Sequence, residues 1–142
     1  MSKKPPLPLV LTSQYEPLVP EGLYTFAYVR HFYVRAFAKT DKLFMEFRII
    51  TQGKYFETIL KRFYNVKKSY KSYRAPPNGD LSRELASLFG RASLKHGIIP
   101  FEKLKEEMLV GEVQTVTVDS SGRDLGAENE YSKLARLIKI EK

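Results

Sequence analysis

"EGLYTFAYVRHFYVRAFAK", residues 21–39, is the stretch on which the reading of the fold turns. It is dense in aromatic and β-branched side chains, which predicts one long β-strand. Tyr24, Phe26 and Tyr28 alternate and so share a face. Phe32 and Tyr33 are adjacent and point to opposite faces. That pair predicts either a strand covered on both sides or a β-bulge within it.

After a short turn at Thr40 and Asp41 comes "KLFMEFRII", with Leu43, Met45, Phe47 and Ile49 on one face and Phe44, Glu46 and Arg48 on the other. This is the pattern of a half-buried strand. "TQGK" supplies a turn glycine, and "YFETILKRFYN" reads as a third strand, so the three form a meander. The next stretch, "NVKKSYKSYRAPPNG" (65–79), reads as a basic loop, and its Pro76, Pro77, Asn78 and Gly79 end any strand. Asp80 is placed to cap a helix carrying Leu81, Leu85, Leu88 and Phe89, with Gly90 to stop it. Pro100 suits the first turn of a second helix bearing Phe101, Leu104 and Met108, with Gly111 beyond its end. "EVQTVTV" is a fourth strand, "DSSGRDLGAENE" a polar loop, and "YSKLARLIKI" (131–140) a fifth strand, with a terminal helix as the alternative. In the other direction, residues 1–21 contain five of the eight prolines and predict an extended arm.

Three strands, a helical connection and two strands is the order of the five-stranded Greek-key barrel called the OB-fold, whose long first strand serves both of its sheets. A small α+β sandwich is the alternative. The expected organisation is a proline-rich arm (1–21) and a single OB-like domain (22–142). A chain of 142 residues, 43% hydrophobic and 13% aromatic, suffices for one domain with a real core. The absence of cysteine excludes disulfides and thiolate metal sites and suits a reducing, cytoplasmic compartment. The apolar patch near the start is short and broken by prolines, a poor signal peptide, and no apolar run is long enough to cross a bilayer.

The net charge of +8 is unevenly placed. Residues 22–74 hold twelve cations against Asp41, Glu46 and Glu57, whereas the segments on either side are close to neutral. Fourteen of the eighteen aromatic side chains lie in the same segment. Phosphates need cations and unstacked bases need flat π faces, so this combination suits a single-stranded nucleic acid. "YNVKKSYKSYR" brings tyrosine and cation round every few residues. The expected contacts are Lys61, Arg62, Lys67, Lys68, Lys71 and Arg74 to phosphates and Tyr64, Tyr70 and Tyr73 to bases. Tyr33, Arg35 and Arg48 join them if the first two strands present an outer face, with Phe37 and Phe44 as stacking platforms or core.

Catalytic constellations are missing. His31 and His96 are the only histidines, and neither sits in a recognisable motif. No glycine-rich phosphate loop and no nucleophile elbow occur. Asp119, Asp124, Glu128 and Glu130 cluster in the polar loop, but acids at that spacing beside Gly122 more often solvate a turn than hold a cation. The expectation is a non-catalytic protein without cofactor or metal.

The frame "EGLY", "KLFMEFRIITQGKYFETILKRFYNV", "LVGEVQTVTVDSSGRDL" and "EYSKLARLIKI" resembles, in layout over about residues 20–140, the small OB-fold single-stranded DNA-binding or replication-associated proteins of phages and conjugative elements. The resemblance implies a cytoplasmic protein that handles single-stranded DNA in replication or recombination, usually as a homo-oligomer. RNA remains open as a ligand. The chain departs from the bacterial single-strand-binding pattern in having no tryptophan and no acidic, glycine-rich tail after "LIKIEK". A different class of function fits the same composition: a phage- or plasmid-encoded module whose basic face meets a host protein and inhibits a host nucleic-acid machine. No membrane partner is expected.

Overall fold

The long aromatic stretch forms the central strand of the protein, β1 (Gly22–Arg35), in a computed structural model that describes residues 18–35, 41–69, 72–93, 97–119 and 121–142. β1 pairs antiparallel with β2 (Asp41–Ile49) on one side and with β6 (Met108–Val116) on the other. β3 (Ile59–Asn65) lies outside β2, and β7 (Tyr131–Ile140) outside β6, giving one five-stranded antiparallel sheet in the order β3-β2-β1-β6-β7. Residues 131–140 are therefore strand rather than helix. The third strand starts at Ile59 instead of Tyr55, because Tyr55, Phe56 and Glu57 complete the turn, with Glu57 at φ 73°.

A bulge in β1 sets its facing pattern. Tyr28 pairs with Phe47 and Arg30 with Glu46, so Val29 is an additional residue with no partner on β2. Before it, Phe26 and Tyr28 face inward; after it, His31 and Tyr33 do, opposite the buried Met45 and Leu43. One extra residue reverses the parity of everything that follows. Arg30, Phe32 and Val34 are thereby turned outward.

Two further irregularities, at Ile138 and Ala135 of β7, fall beside Gly111 of β6. Expected beyond a helix end, Gly111 instead lies within β6. A Cβ there would stand 2.5 Å from Leu134 Cδ1 and 3.2 Å from the Arg136 carbonyl, so only glycine admits this approach of the two strands. Bulges of this kind increase local twist, and the sheet curls until β3 and β7 come near one another.

Between β3 and β6 lie a small hairpin, β4 (Lys67–Ser69) with β5 (Ser72–Arg74), and two helices, α1 (Asp80–Phe89) and α2 (Phe101–Glu106). The hairpin falls where the sequence predicts only a loop. Asp80 does not cap α1 with its side chain; Gly79 is the cap residue and Asp80 pairs with Arg83 instead. The apolar stripe of α1, Leu81, Leu85 and Leu88, joins Phe26, Phe47, Ile49, Leu60, Leu109, Val113 and Leu134 in one core. No helix among the described residues is long and apolar enough to cross a membrane. The expected arm lies outside the described residues apart from its last four.

Candidate functional site

Two regions contain the residues singled out in the sequence. On the outer face of β1, β2 and β3, Phe32 sits across from Phe44, and Phe44 across from Phe63. Their rings meet: Phe32 stacks on Phe44 with centroids 4.5 Å apart, and Phe44 meets Phe63 edge to face at 4.5 Å. Phe32 is 41% exposed and Phe63 49%. Such a row is unusual on a sheet face that water could cover, since a contiguous exposed apolar patch marks a binding surface. Cations border it. The Arg30 guanidinium lies 6.0 Å from the Phe32 centroid and Lys61 Nζ 5.7 Å from that of Phe44, both within cation–π range. Arg30 is held by Glu46, its Nε donating to Oε1 at 2.6 Å. Lys42 and Arg48 share this outer face by register.

The hairpin springs from the same end of the sheet, the Val66 N–H donating to the Asp41 carbonyl at 3.2 Å. Lys68 and Tyr73 are cross-strand partners, and Tyr73 stacks on Tyr33 with ring centroids 4.0 Å apart and planes 13° from parallel. Lys68 Nζ stands 5.8 Å from the Tyr73 centroid. Tyr33 also meets His31 edge to face, and His31 lies flat on Phe101 at 3.6 Å. The Tyr28 hydroxyl is hydrogen-bonded to His31 Nδ1. Burial, then the neighbouring Tyr73 and Tyr28, push the Tyr33 hydroxyl above its ordinary range. Burial and then the Lys105 ammonium lower the pKa of His31.

Several expected contacts are elsewhere. Arg62 and Tyr64 face inward from β3, since they share parity with Leu60. Tyr64 is 2% exposed and its hydroxyl donates to Glu84 Oε1 at 2.6 Å; the Arg62 guanidinium pairs with the other oxygen of the same carboxylate. Glu84 Oε1 also accepts the Leu137 N–H at 2.8 Å, so this α1 side chain ties β3 to β7 where the sheet edges meet. Burial, then the Glu84 charge, push the Tyr64 hydroxyl well above the usual tyrosine range and keep it a donor. A ring so enclosed has no face for a base, and these two residues are structural.

Tyr33 is likewise turned from the outer face by the Val29 bulge, and the exposed Arg35 pairs with Asp41 at 3.4 Å. Lys67 and Arg74 face each other on the side of the hairpin away from Tyr73. Tyr70, Lys71, Phe37 and His96 lie outside the described residues. Asp119 spends its carboxylate on its own loop, accepting from the Ser121 N–H, the Ser121 hydroxyl and the Arg123 N–H, and the backbone bond from Arg123 is the main cause of its lowered pKa.

The residues of this face that the sequence reading did not name as contacts are Arg30, Phe32, Lys42 and Phe63. Their signal is cross-strand: only a register placing 32, 44 and 63 side by side reveals the row. No protein-family model, curated protein or solved structure matches the chain.

Proposed function

We propose that the protein binds single-stranded nucleic acid, DNA in the first instance, without catalysis, on the outer face of β1, β2 and β3. The Phe32–Phe44–Phe63 row, exposed at Phe32 and Phe63, with its cationic border carries this reading. Stacking of bases on Phe32 and Phe63 is tolerant of sequence and contributes about 1–3 kcal/mol per base. Lys42, Arg48 and Lys61 neutralise phosphates on that face, and Arg30 is positioned beside Phe32 through Glu46. The strand order, with β3 and β7 as neighbouring parallel edges and α1 packed against both, supports an OB-type barrel as the scaffold. The setting is the handling of single strands in replication or recombination of a phage or mobile element, as the resemblance in layout implies.

The test is fluorescence anisotropy of a labelled thirty-base oligothymidine across a salt series, beside duplex DNA and RNA of equal length. Engagement of three to five phosphates gives a slope of log affinity on log salt of about −2 to −3.5. Phe32→Ala with Phe63→Ala removes most of the single-strand affinity. No binding at low salt, or binding that the double variant leaves intact, overturns the reading and transfers the face to a protein partner.

A further inference from the structure

A second surface is chemically different from the aromatic face. Between the hairpin and α1 lies a groove of about 750 Å³, a volume in the range of small-ligand sites. Pro76, Pro77 and Ala86 are among its apolar lining residues, and Lys67, Arg74, Arg83 and Arg91 line it from three separate segments of the chain. Among the described residues that line it there is no acid. The walls are fixed by their own hydrogen bonds, Ala75 N–H to the Gly97 carbonyl at 2.9 Å and the Ser82 hydroxyl to the Pro76 carbonyl at 2.7 Å. Gly97 is packed so closely that a Cβ would stand 2.7 Å from the Ala75 carbonyl.

Two of these cations are brought together by the hairpin itself. Lys67 and Arg74 stand directly opposite in the β4–β5 ladder, and like charges in that relation destabilise a strand pair. Asp80, which is not among the lining residues, pairs with Arg83 on the open surface, and Arg83 also donates to the Asn78 carbonyl at 2.9 Å. That exposed ion pair is weak and is readily exchanged for a stronger anion. Strand alternation separates this set from Lys68 and Tyr73, which face Tyr33 on the other side of the hairpin.

We propose that this groove is a binding site for a chain of phosphates, such as the tail of a nucleoside polyphosphate or the phosphorylated end of a nucleic-acid strand. Three of its four cations are arginines, whose planar forks match phosphate oxygens in pairs, and four charges exceed what one carboxylate or one phosphate satisfies. Pro76, Pro77 and Ala86 give the sugar or base an apolar surface to pack on. The site stands on its own residues and does not depend on the role of the aromatic face.

Calorimetric titration of the full chain with sodium tripolyphosphate tests it, using Arg83→Ala with Arg91→Ala as the variant; both side chains are exposed, and thermal melting verifies folding. Lys133→Ala with Lys139→Ala removes the same charge from the exposed side of β7 as a control. The expected result is binding weakened at least tenfold by the arginine pair and less than twofold by the lysine pair, with Phe32→Ala plus Phe63→Ala without effect. No heat with tripolyphosphate, or equal losses in both charge variants, overturns the site. Two further titrants identify the source. ATP tighter than tripolyphosphate assigns a free nucleotide; a 5′-triphosphorylated twelve-base oligomer tighter than both, with its 5′-hydroxyl counterpart insensitive to the arginine pair, assigns a strand end.

Discussion

Lys61 and Phe63 face solvent while Arg62 and Tyr64, their immediate neighbours, face the core, so four consecutive residues serve two regions with opposite requirements. Each region has one cation and one aromatic from β3. Outside, Lys61 lies over Phe44 and Phe63 keeps half its surface in water, leaving ring and charge available to a ligand. Inside, the Arg62 guanidinium lies 4.3 Å from the Tyr64 centroid, and both groups are bonded to one carboxylate, Glu84. Chemical type is the same; what differs is whether the partner is already present in the fold.

That difference is sharpest under mutation. Glu84→Ala leaves the Arg62 charge, whose side chain is only 12% exposed, with the Phe63 carbonyl and the more distant, exposed Asp80, and strands the Tyr64 hydroxyl and the Leu137 N–H. Breaking one partner out of a buried pair costs about 3–5 kcal/mol, and urea unfolding should show it as a large fall in midpoint. Stability within about 1 kcal/mol of the wild type would mean that the network is solvated and that the two regions differ less than their burial implies.

Next in size is Phe63→Ala. Its ring is half exposed, so stability changes little, whereas single-strand affinity falls by about 1–3 kcal/mol in the anisotropy titration. Tyr64→Phe gives the reciprocal result: it removes a buried donor to Glu84 and lowers the urea midpoint, while oligothymidine affinity is unchanged. Equal effects on binding from the two neighbours would erase the distinction between the faces.

The sequence made one half of this comparison legible. Leu43, Met45, Phe47 and Ile49 alternate with Phe44, Glu46 and Arg48 without ambiguity, and the sheet obeys that alternation along β2. The five strands of the main sheet and the position of the helical connection followed from equally local signals, whereas the β4–β5 hairpin did not. What local reading missed has physical reasons. The adjacent Phe32 and Tyr33 give a bulge as one of two alternatives, but nothing beside Val29 marks its position, and that position decides that Phe32 turns outward and Tyr33 inward. In "ILKRFYN" both parities contain apolar side chains, so nothing nearby tells which face Arg62 takes; the decision comes from Glu84, in a helix twenty-two residues away. The tyrosine and lysine spacing in residues 65–79 read as a loop tip because Tyr73 finds its partner, Tyr33, forty residues earlier.

Charge on the outer face gives a smaller effect with a distinct signature. Lys61→Ala takes one phosphate contact from the proposed site, so the salt slope on single-stranded DNA becomes shallower by about 0.7. Arg62 is committed to Glu84 and contributes no such contact. An unaltered slope for Lys61→Ala would place the strand away from this face, even if Phe63→Ala weakened binding.

The mildest test concerns the inner aromatic group, which contains a titrating ring. His31 is stacked on Phe101, bonded to the Tyr28 hydroxyl and close to Lys105, and burial followed by that ammonium lowers its pKa from the ordinary 6.5. The folded protein therefore resists a proton that the unfolded chain accepts. The stabilising contribution is complete above pH 6.5 and is lost as pH falls from there through the folded pKa, below which both states are protonated and the dependence flattens. The Tyr33 hydroxyl also faces the ring, and burial raises its pKa further above the interval from pH 5 to 7.5. Urea midpoints measured across that interval should decline toward acid in the wild type and decline less in His31→Gln, which cannot take the proton. Parallel curves would mean that the ring is solvated in the folded state. In that event the Tyr33–Tyr73 stack beside it would have to be treated as open to ligand, and the inner group would join the outer row as binding surface.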